Sequence, residues 1–486
     1  MTQIPIPIEA YKMLANDPLL APPLNDHGNS GRIEILFGED LRFSYSEKCW
    51  FVWDGHRWAK DVNGAAFRLA KKAMLKFLES AIKSGDTTLE KFAKNSLDQG
   101  RLVNALASLQ CELPIDATEF DTHRHLLNFV NGTVDLRSGA LRSHDKSDKI
   151  TKLIHYHFTP EAQCPRFLTF LERVMGGGPD AGEAALCRSE QLINYLQKAL
   201  GYSLTGETSE KVVFISIGHG NNGKSTLLDT NRELSSEYAS KIMIDSLMAK
   251  HSGESANTLT DLADLRGARF VNTSETEYGQ RLSEGRLKRI TQGMGEIKTC
   301  RKYENPITFP ETHKLWIDAN HLPVISGSEN AIWNRLHAIP FTVTIAPEEI
   351  DRQLPTKLLA EAEGILAWCV AGAQRWYAEG LGKPAAVSDA VNGWRDDMNT
   401  LGPFLEDMCE LKPEDSEAWV KVSEMWKAYS DWAERNDEKR PLTRQALAAQ
   451  LDSRGVIAGK RDDGRTRVWR GVRFCNRFGT TGQGGT

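Results

Sequence analysis

Residues 218–225 constrain the fold of this chain more than any other segment. They read G-H-G-N-N-G-K-S, they follow a β-branched run at residues 212–217, and helix-forming residues come directly after them. A strand, a G-x-x-x-x-G-K-S loop and a helix in this order form a phosphate-binding loop. A helical stretch is predicted at residues 190–204, and a long helical segment at residues 354–377. From residue 185 to about 345, β-branched runs alternate with amphipathic stretches. The pattern predicts a three-layer α/β unit built on a parallel sheet.

Each residue type in this loop has its own task in holding nucleotide phosphates. Glycines allow backbone N–H groups to wrap the β-phosphate, Lys224 neutralises the β- and γ-phosphate oxygens, and the Ser225 hydroxyl ligates Mg²⁺. The loop therefore predicts a nucleoside triphosphatase that uses Mg²⁺. The predicted nucleotide-binding residues are Gly218, Gly220, Asn221, Asn222, Gly223, Lys224, Ser225 and Thr226.

Two carboxylates, Glu275 and Glu277, follow the next predicted strand. In an extended chain, residues two apart point to the same side, so both carboxylates can face the nucleotide. One would hold Mg²⁺ through water, with Glu275 as the predicted metal residue beside Ser225, and the other would orient the attacking water. A solvated acidic strand end is the alternative, and which of the two acids is the base stays open.

Two further residues fit the chemistry of phosphoryl transfer. Asn320 ends the predicted strand at residues 314–320, where its amide can hydrogen-bond the γ-phosphate or the lytic water. Arg335 lies 15 residues downstream, just before another predicted strand. It is a candidate arginine finger, a side chain that stabilises transition-state charge. The predicted catalytic residues are Lys224, Glu275, Glu277, Asn320 and Arg335.

The N-terminal region mixes short strands with helices. Residues 49–58 predict a hairpin with a tight two-residue turn at Asp54-Gly55, and a second hairpin is predicted around residues 130–139. Trp50, Trp53 and Trp58 are interpreted as core rather than as base-stacking residues. This region lacks a closely spaced Asp pair on a hydrophobic strand, so a separate primase or polymerase is expected.

The C-terminal region is basic although the chain carries a net charge of −5. Residues 439–477 hold 11 Lys and Arg against 3 Asp and Glu, a net charge of +8, so the remainder carries −13. Two helices, the second capped by Thr443, and a hairpin turning at Asp463-Gly464 predict a winged helix. Its predicted DNA-binding residues are Arg444 in the groove and Lys460, Arg461, Arg465 and Arg467 in the wing.

The order of these motifs resembles superfamily 3 helicases, specifically the phage and plasmid primase-type helicases related to poxvirus primase-helicases. The resemblance rests on G-H-G-N-N-G-K-S-T, F-V-N-T-S-E-T-E, L-W-I-D-A-N-H-L-P and A-I-W-N-R-L. It covers residues 190–380 strongly and extends weakly to about residue 25. Asn334 stands where many relatives carry a basic residue, and Met294-Gly-Glu296 replaces a commoner Gly-Asp pair.

The resemblance implies an AAA+-type ATPase core that forms a hexameric ring and translocates 3′→5′ on DNA. ATP would be the nucleotide, Glu275 with Glu277 would form the second motif, Asn320 the sensor and Arg335 a finger acting on the neighbouring subunit. The family also implies a hairpin in the ring channel, where Lys298, Arg301 and Lys302 would contact single-stranded DNA. A solvated surface strand is the alternative for these three residues.

The sequence therefore predicts a replicative DNA helicase of a phage or mobile element that acts on single-stranded and forked DNA. The alternative is an ATP-switched replication initiator without processive unwinding, and a small-molecule kinase is disfavoured by the basic region. Scattered cysteines and the lack of a long apolar run predict a protein of the bacterial host cytoplasm without membrane association. The predicted units are an N-terminal α+β domain (1–184), the ATPase domain (185–385), the winged-helix module (386–477) and a disordered tail (478–486).

Overall fold

The computed structural model describes most of the chain. The described residues are 17–178, 181–249, 260–273, 280–300, 306–325, 330–398, 401–415, 417–438, 441–452, 454–461 and 464–475. None of the helices among them is long and apolar enough to span a membrane.

The first part of the chain packs four helices against a small antiparallel sheet. In chain order the elements are α1 (Asp26–Phe37), β1 (Leu41–Ser44), β2 (Cys49–Trp53), β3 (Trp58–Lys60), α2 (Ala65–Ser84), α3 (Thr87–Asn95) and α4 (Gln99–Leu109). The strands lie in the order β1-β2-β3, and their apolar side chains share a core with the helices. Trp50 and Trp58 are buried, which confirms their interpretation as core residues.

The turn between β2 and β3 differs from the prediction in length. Trp53 pairs with Trp58, so four residues form the turn instead of two. Asp54 is the reason, because its Oδ1 accepts from the backbone N–H groups of His56 at 2.8 Å and Arg57 at 2.9 Å. An Asp side chain that bonds its own backbone two residues on builds a wider turn.

A second antiparallel sheet follows and leads to two helices. It comprises β4 (Leu126–Phe129), β5 (Gly132–Asp135) and β6 (Ala140–Arg142), and the helices are α5 (Pro165–Val174) and α6 (Glu183–Leu204). The strands pair in chain order, which confirms the predicted hairpin around residues 130–139. Helix α6 ends at Leu204 as predicted, but it begins at Glu183, seven residues before the predicted start at residue 190.

A five-stranded parallel sheet forms the centre of the molecule. Its region contains β7 (Val213–Ile217), α7 (Lys224–Ser235), β8 (Ala239–Ile242), β9 (Phe270–Thr273), α8 (Glu284–Ile290), β10 (Glu296–Thr299), β11 (Ile307–Pro310), β12 (Lys314–Ala319), α9 (Asn330–Trp333) and β13 (Leu336–Pro340). The order is β13-β7-β12-β9-β8, and every neighbouring pair is parallel. The predicted α/β class with a parallel sheet is confirmed.

Both faces of this sheet are covered, which explains why every residue of its strands β9 and β12 is buried. On one face, Phe214 stacks on Trp316 with ring centroids 4.3 Å apart, and both rings join the core formed by α6 and the helices that follow the sheet. On the other face, Ile215 and Ile317 belong to a second core that includes α8. Alternate residues of one strand therefore serve two hydrophobic layers.

The helices after the sheet are α10 (Leu354–Leu359), α11 (Ala362–Glu379) and α12 (Ala385–Asp397). A single helical segment over residues 354–377 was expected, and the structure breaks it at residues 360–361. Glu361 explains the break, because its carboxylate accepts from the backbone N–H groups of Arg166 and Phe167, both at 3.1 Å. It thereby caps the start of α5. In α12, Trp394 packs edge to face on Trp333, beside the parallel sheet.

The last part of the chain has its own core. Its elements are α13 (Leu401–Met408), β14 (Cys409–Leu411), β15 (Trp419–Lys421), α14 (Val422–Arg435), α15 (Arg444–Asp452), β16 (Ile457–Lys460), β17 (Arg467–Arg470) and β18 (Val472–Phe474). The strands form an antiparallel sheet, β15-β17-β16, and a separate pair, β14-β18. Tyr429 and Trp432 are buried in this core. Thr443 Oγ1 accepts from the Ala446 N–H at 3.2 Å, as expected of a helix cap.

Candidate functional site

The phosphate-loop residues connect β7 to α7 at the carboxyl edge of the parallel sheet. Strand β7 lies between β12 and β13, and the chain leaves it to form the distant edge strand β8. Ligands of open α/β sheets bind at such a point, outside the carboxyl ends of the strands where the strand order reverses. The loop is anchored to the segment that follows β13, because the Ile345 N–H donates to Asn221 O at 2.7 Å. The fold thus places the loop where a nucleotide site is expected.

Two glycines of the loop are required by its geometry. A Cβ on Gly218 would lie 2.2 Å from the backbone oxygen of Phe341, which is too close for any side chain. Gly223 has a φ of +85°, and a Cβ there would lie 2.7 Å from the Val174 side chain. Gly223 is also the residue before α7, so the loop turns directly into the helix N-terminus. Such a terminus directs backbone N–H groups and a positive dipole end at an anion.

Lys224 is held in place by three oxygen acceptors. Its side chain is only 3% exposed, and Nζ donates to Gly218 O at 2.6 Å and to the side-chain oxygens of Asn222 at 3.2 Å and Asn320 at 3.0 Å. The ammonium group therefore lies beneath the loop and next to the predicted sensor. A cation fixed in this position can meet phosphate oxygens without first being ordered.

The structure adds a residue that sequence reasoning missed. Ser225 Oγ donates to Asp318 Oδ2 at 2.7 Å, and Asp318 Oδ1 lies 3.9 Å from Lys224 Nζ. Asp318 is 5% exposed and lies two residues before Asn320 on β12. Residues two apart on a strand share a face, so the position of Asn320 was the signal that could have found Asp318. Lys224, Ser225, Asp318 and Asn320 together form the phosphate-loop site.

Of the other three predicted catalytic residues, two lie outside the described residues and the third lies away from this site. Glu275 and Glu277 lie outside the described residues; β9, which precedes them, ends with Thr273 paired to Ile317. Arg335 precedes β13 at the opposite, amino edge of the sheet, and its Nη1 donates to Thr291 O at 2.8 Å. A five-residue strand is roughly 16 Å long, so Arg335 is far from the phosphate loop of its own chain.

A cavity of about 540 Å³ opens beside the phosphate loop. Asn221, Gly223 and Thr226 line one side of it. Two ion pairs also line the cavity, Arg173 with Glu349 at 2.6 Å and Lys357 with Asp351 at 2.6 Å. A space of this size next to a phosphate loop accommodates the remainder of a nucleotide.

The predicted DNA-binding hairpin is present as two paired strands. β10 and β11 are antiparallel, with Lys298 opposite Thr308, and Lys298 is exposed while its neighbours Ile297 and Thr299 are buried. Arg301 and Lys302 lie outside the described residues. At the base of the hairpin, burial raises the pKa of Glu311 to about 7, although the Gly293 N–H donates to its carboxylate at 3.2 Å.

The predicted basic residues of the C-terminal part are all exposed. Lys460 of β16 lies opposite Arg467 of β17 in the strand register. Arg461 follows β16 directly, and its guanidinium lies 4.6 Å from the Trp419 ring centroid. Arg444 opens α15 and lies 5.2 Å from the Trp426 ring centroid. The exposed cations of this group are Arg444, Lys460, Arg461, Arg465 and Arg467. Helix α15 and the hairpin thus present their positive charge to solvent.

Comparisons with known proteins match both the N-terminal region and the region of the parallel sheet. Residues 31–176 match the family described as D5 N terminal like, and residues 216–335 match a family of unknown function. The "Putative helicase" of Acanthamoeba polyphaga mimivirus is 22% identical over 453 residues, covering 83% of this chain and 45% of the viral protein. That of Invertebrate iridescent virus 6 is 24% identical over 366 residues, covering 67% of this chain and 36% of the viral protein.

These matches support the resemblance to phage and viral primase-helicases that the motifs predicted. The chain spans less than half the length of these curated relatives. Among solved structures, the apo structure of the NrS-1 C terminal region aligns over 91% of this chain and 98% of that chain, with 11% identity and a TM-score of 0.47. At this TM-score the likeness does not establish a common fold.

Proposed function

We propose that the chain is an ATP-dependent DNA helicase of a viral or phage replication system. The observation that carries the proposal is the phosphate-loop site, in which Lys224, Ser225 and Asn320 converge at the carboxyl edge of the parallel sheet. The curated relatives are themselves named helicases, which supports this choice among the many activities that use phosphate loops.

The site residues divide the work of nucleotide hydrolysis. Lys224 binds the β- and γ-phosphate oxygens, and Asn320, already within 3.0 Å of Lys224, hydrogen-bonds the γ-phosphate or the attacking water. The Ser225 hydroxyl is an oxygen donor of the kind that Mg²⁺ prefers and would hold the ion together with Glu275. When bound, Mg²⁺ neutralises charge on the phosphates. One of Glu275 and Glu277 orients the water.

The same sheet supports an AAA+-type core that works as a ring, with six subunits as the resemblance implies. Arg335 lies at the amino edge of the sheet, roughly a strand length from its own phosphate loop. It therefore serves the site of a neighbouring subunit. Mixing Arg335→Ala with Lys224→Ala subunits should restore part of the ATPase activity, since some interfaces then pair an intact loop with an intact arginine. Co-assembly without recovery at any ratio would contradict a finger acting between subunits.

DNA is bound at two places in this proposal. The β10–β11 hairpin, with Lys298, Arg301 and Lys302, follows single-stranded DNA during 3′→5′ translocation. The C-terminal part acts as a winged helix, since a helix pair followed by the β16–β17 hairpin is the arrangement in which a second helix enters a groove and a wing contacts the backbone. Primers are made by a separate primase or polymerase.

Strand displacement on a forked DNA substrate tests the proposal. The full chain should separate the strands with ATP and Mg²⁺, whereas the Lys224→Ala variant should not, because it cannot hold the phosphates. Forks with a single 3′ or 5′ tail determine the polarity. Hydrolysis of ATP on DNA without strand displacement on any fork would overturn the helicase and favour an ATP-switched initiator.

A further inference from the structure

We infer that Asp318 is a positioning residue for Mg²⁺, acting through the hydroxyl of Ser225. The inference rests on the proposed function, since it assigns a role within the same nucleotide site. The motifs gave Asp318 no role, and the predicted metal residues were Ser225 and Glu275.

Asp318 is fixed by the sheet. It is the fifth residue of β12, a strand whose six residues are all buried, and it lies opposite Ser216 of β7 in the parallel register. The residue is 5% exposed. A carboxylate in such a place is costly unless hydrogen bonds and a nearby cation offset its loss of hydration. Here the Ser225 hydroxyl donates at 2.7 Å, and the Lys224 ammonium group lies 3.9 Å away.

The direction of the Ser225 hydrogen bond is what links Asp318 to the metal. A hydroxyl has one proton to donate and two lone pairs with which to accept or to ligate. An ionised carboxylate can only accept, so Asp318 draws the Ser225 proton toward the sheet. The lone pairs of Ser225 Oγ are then left for a cation on the open side of α7, where Ser225 is exposed. Asp318 thus sets the orientation that a metal-ligating hydroxyl requires.

The contact also fits the usual construction of metal sites. Residues behind the ligands fix their orientation, and losing such a residue commonly lowers metal affinity about 10- to 100-fold. Alanine at position 318 would leave Ser225 free to rotate, whereas asparagine retains an acceptor oxygen of similar shape without the charge. The Asp318→Asn variant should therefore retain part of the effect that Asp318→Ala loses.

The test compares binding of a fluorescent ADP analogue with Mg²⁺ and with EDTA. In the unsubstituted protein, Mg²⁺ should tighten binding. In Asp318→Ala, this Mg²⁺-dependent gain should fall by about 10-fold or more, the loss typical of a residue that orients a metal ligand. Affinity in EDTA should change little, and Asp318→Asn should lie between. Asp229→Ala is the matched control, because Asp229 is an exposed acid one turn further along α7.

The outcomes separate this inference from the proposed function. An Mg²⁺-dependent gain in Asp318→Ala equal to that of the unsubstituted protein, with both variants folded by circular dichroism, would overturn the role of Asp318 alone. Failure of the unsubstituted protein to bind the nucleotide at all would overturn the proposed function. Should Asp318→Ala not fold, Asp318→Asn decides: an unchanged gain together with an unchanged Mg²⁺ concentration for half-maximal binding would contradict the inference.

Discussion

The parallel-sheet unit (residues 213–340) and the C-terminal part (residues 401–475) differ in the exposure of their positive charges. Lys224 is 3% exposed and contacts three oxygen acceptors, whereas the five predicted DNA-binding cations from Arg444 to Arg467 are all exposed. A buried, ordered ammonium group recognises a compact anion by geometry, because its position is already fixed. Exposed cations on a helix and a hairpin attract an extended polyanion by charge density and release of counterions. The proposed function therefore gives one chain two modes of binding phosphate.

The largest effect is expected where the geometry is tightest. Lys224→Ala should lower ATP turnover by a factor of about 10² to 10³, the loss typical of removing one fixed charge-stabilising donor from an active site. Lys241→Ala is the control, since Lys241 is an exposed lysine on the edge strand β8. Phosphate release measures turnover, and circular dichroism verifies the fold. Turnover by folded Lys224→Ala at the control rate would remove Lys224 from the catalytic residues.

The exposed group should respond to salt instead of to geometry. Changing Lys460, Arg461, Arg465 and Arg467 together to Gln should reduce the slope of log affinity for DNA against log salt by about 3–4, at about 0.9 per phosphate contact. Affinity should therefore fall most at low salt, while ATP turnover without DNA stays unchanged. Equal slopes for the variant and the unsubstituted protein would show that the β16–β17 hairpin does not touch DNA.

Substituting these four residues tests the charge without disturbing the fold, whereas removing residues 439–486 would not. Leu447, Leu451 and Trp469 share a core with Tyr429 and Trp432, so truncation would expose the apolar side of α14. The control changes four exposed lysines on the N-terminal helices to Gln and should leave the salt slope unaltered. These lysines are Lys71, Lys76, Lys83 and Lys91.

Burial also makes the parallel-sheet unit sensitive to pH. Burial raises the pKa of Glu311 to about 7, with Lys314 and Arg124 opposing the shift. Because the pKa of Glu311 is higher in the folded state than in the unfolded state, the unfolded state loses this proton first as pH rises. The contribution of Glu311 to the free energy of unfolding is therefore fully present below about pH 4.5 and is lost progressively up to about pH 7. Glu311→Gln should remove this loss, which amounts to at most about 3 kcal/mol at pH 8.

Thermal unfolding at pH 5 and pH 8 measures the effect. The Glu311→Gln variant should gain stability over the unsubstituted protein at pH 8 and lose most of that gain at pH 5. Glu296→Gln is the matched control, because Glu296 is an exposed acid on the same hairpin. A gain for Glu311→Gln that is identical at the two pH values would mean that packing, not ionisation, sets its stability.

The sequence predicted those features that depend on nearby residues. The bounds of β7, the end of α6 at Leu204 and the position of the phosphate loop follow from local patterns of β-branched, apolar and glycine residues. The contact between Ser225 and Asp318 depends instead on β12 lying directly beside β7, although 93 residues separate the two partners. The break at Glu361 likewise arises from capping a helix almost 200 residues away. Spacing from Asn320 could have marked Asp318 as a candidate, but no local pattern predicts distant contacts of this kind.

The smallest effect is expected at the β10–β11 hairpin. Substitution of Lys298, an exposed cation on this hairpin, tests whether charge-driven DNA binding extends to the parallel-sheet unit. Lys298 alternates with buried Ile297 and Thr299, so Lys298→Ala should leave the fold and ATP turnover without DNA unchanged. Loss of one phosphate contact should reduce the salt slope for single-stranded DNA by about 0.7. Unwinding should fall, because in the proposed function the hairpin transmits movement to DNA.

Lys241→Ala again serves as the control, and fluorescence anisotropy over a range of salt concentrations gives the slopes. Adding Arg301→Ala and Lys302→Ala should reduce the slope further, by about 0.7 for each additional contact. A slope and an unwinding rate that match the control for all three changes would return this hairpin to a solvated surface strand. DNA binding would then belong to the C-terminal part alone. The parallel-sheet unit would bind phosphate only through the fixed geometry at Lys224, and the C-terminal part only through its exposed charge.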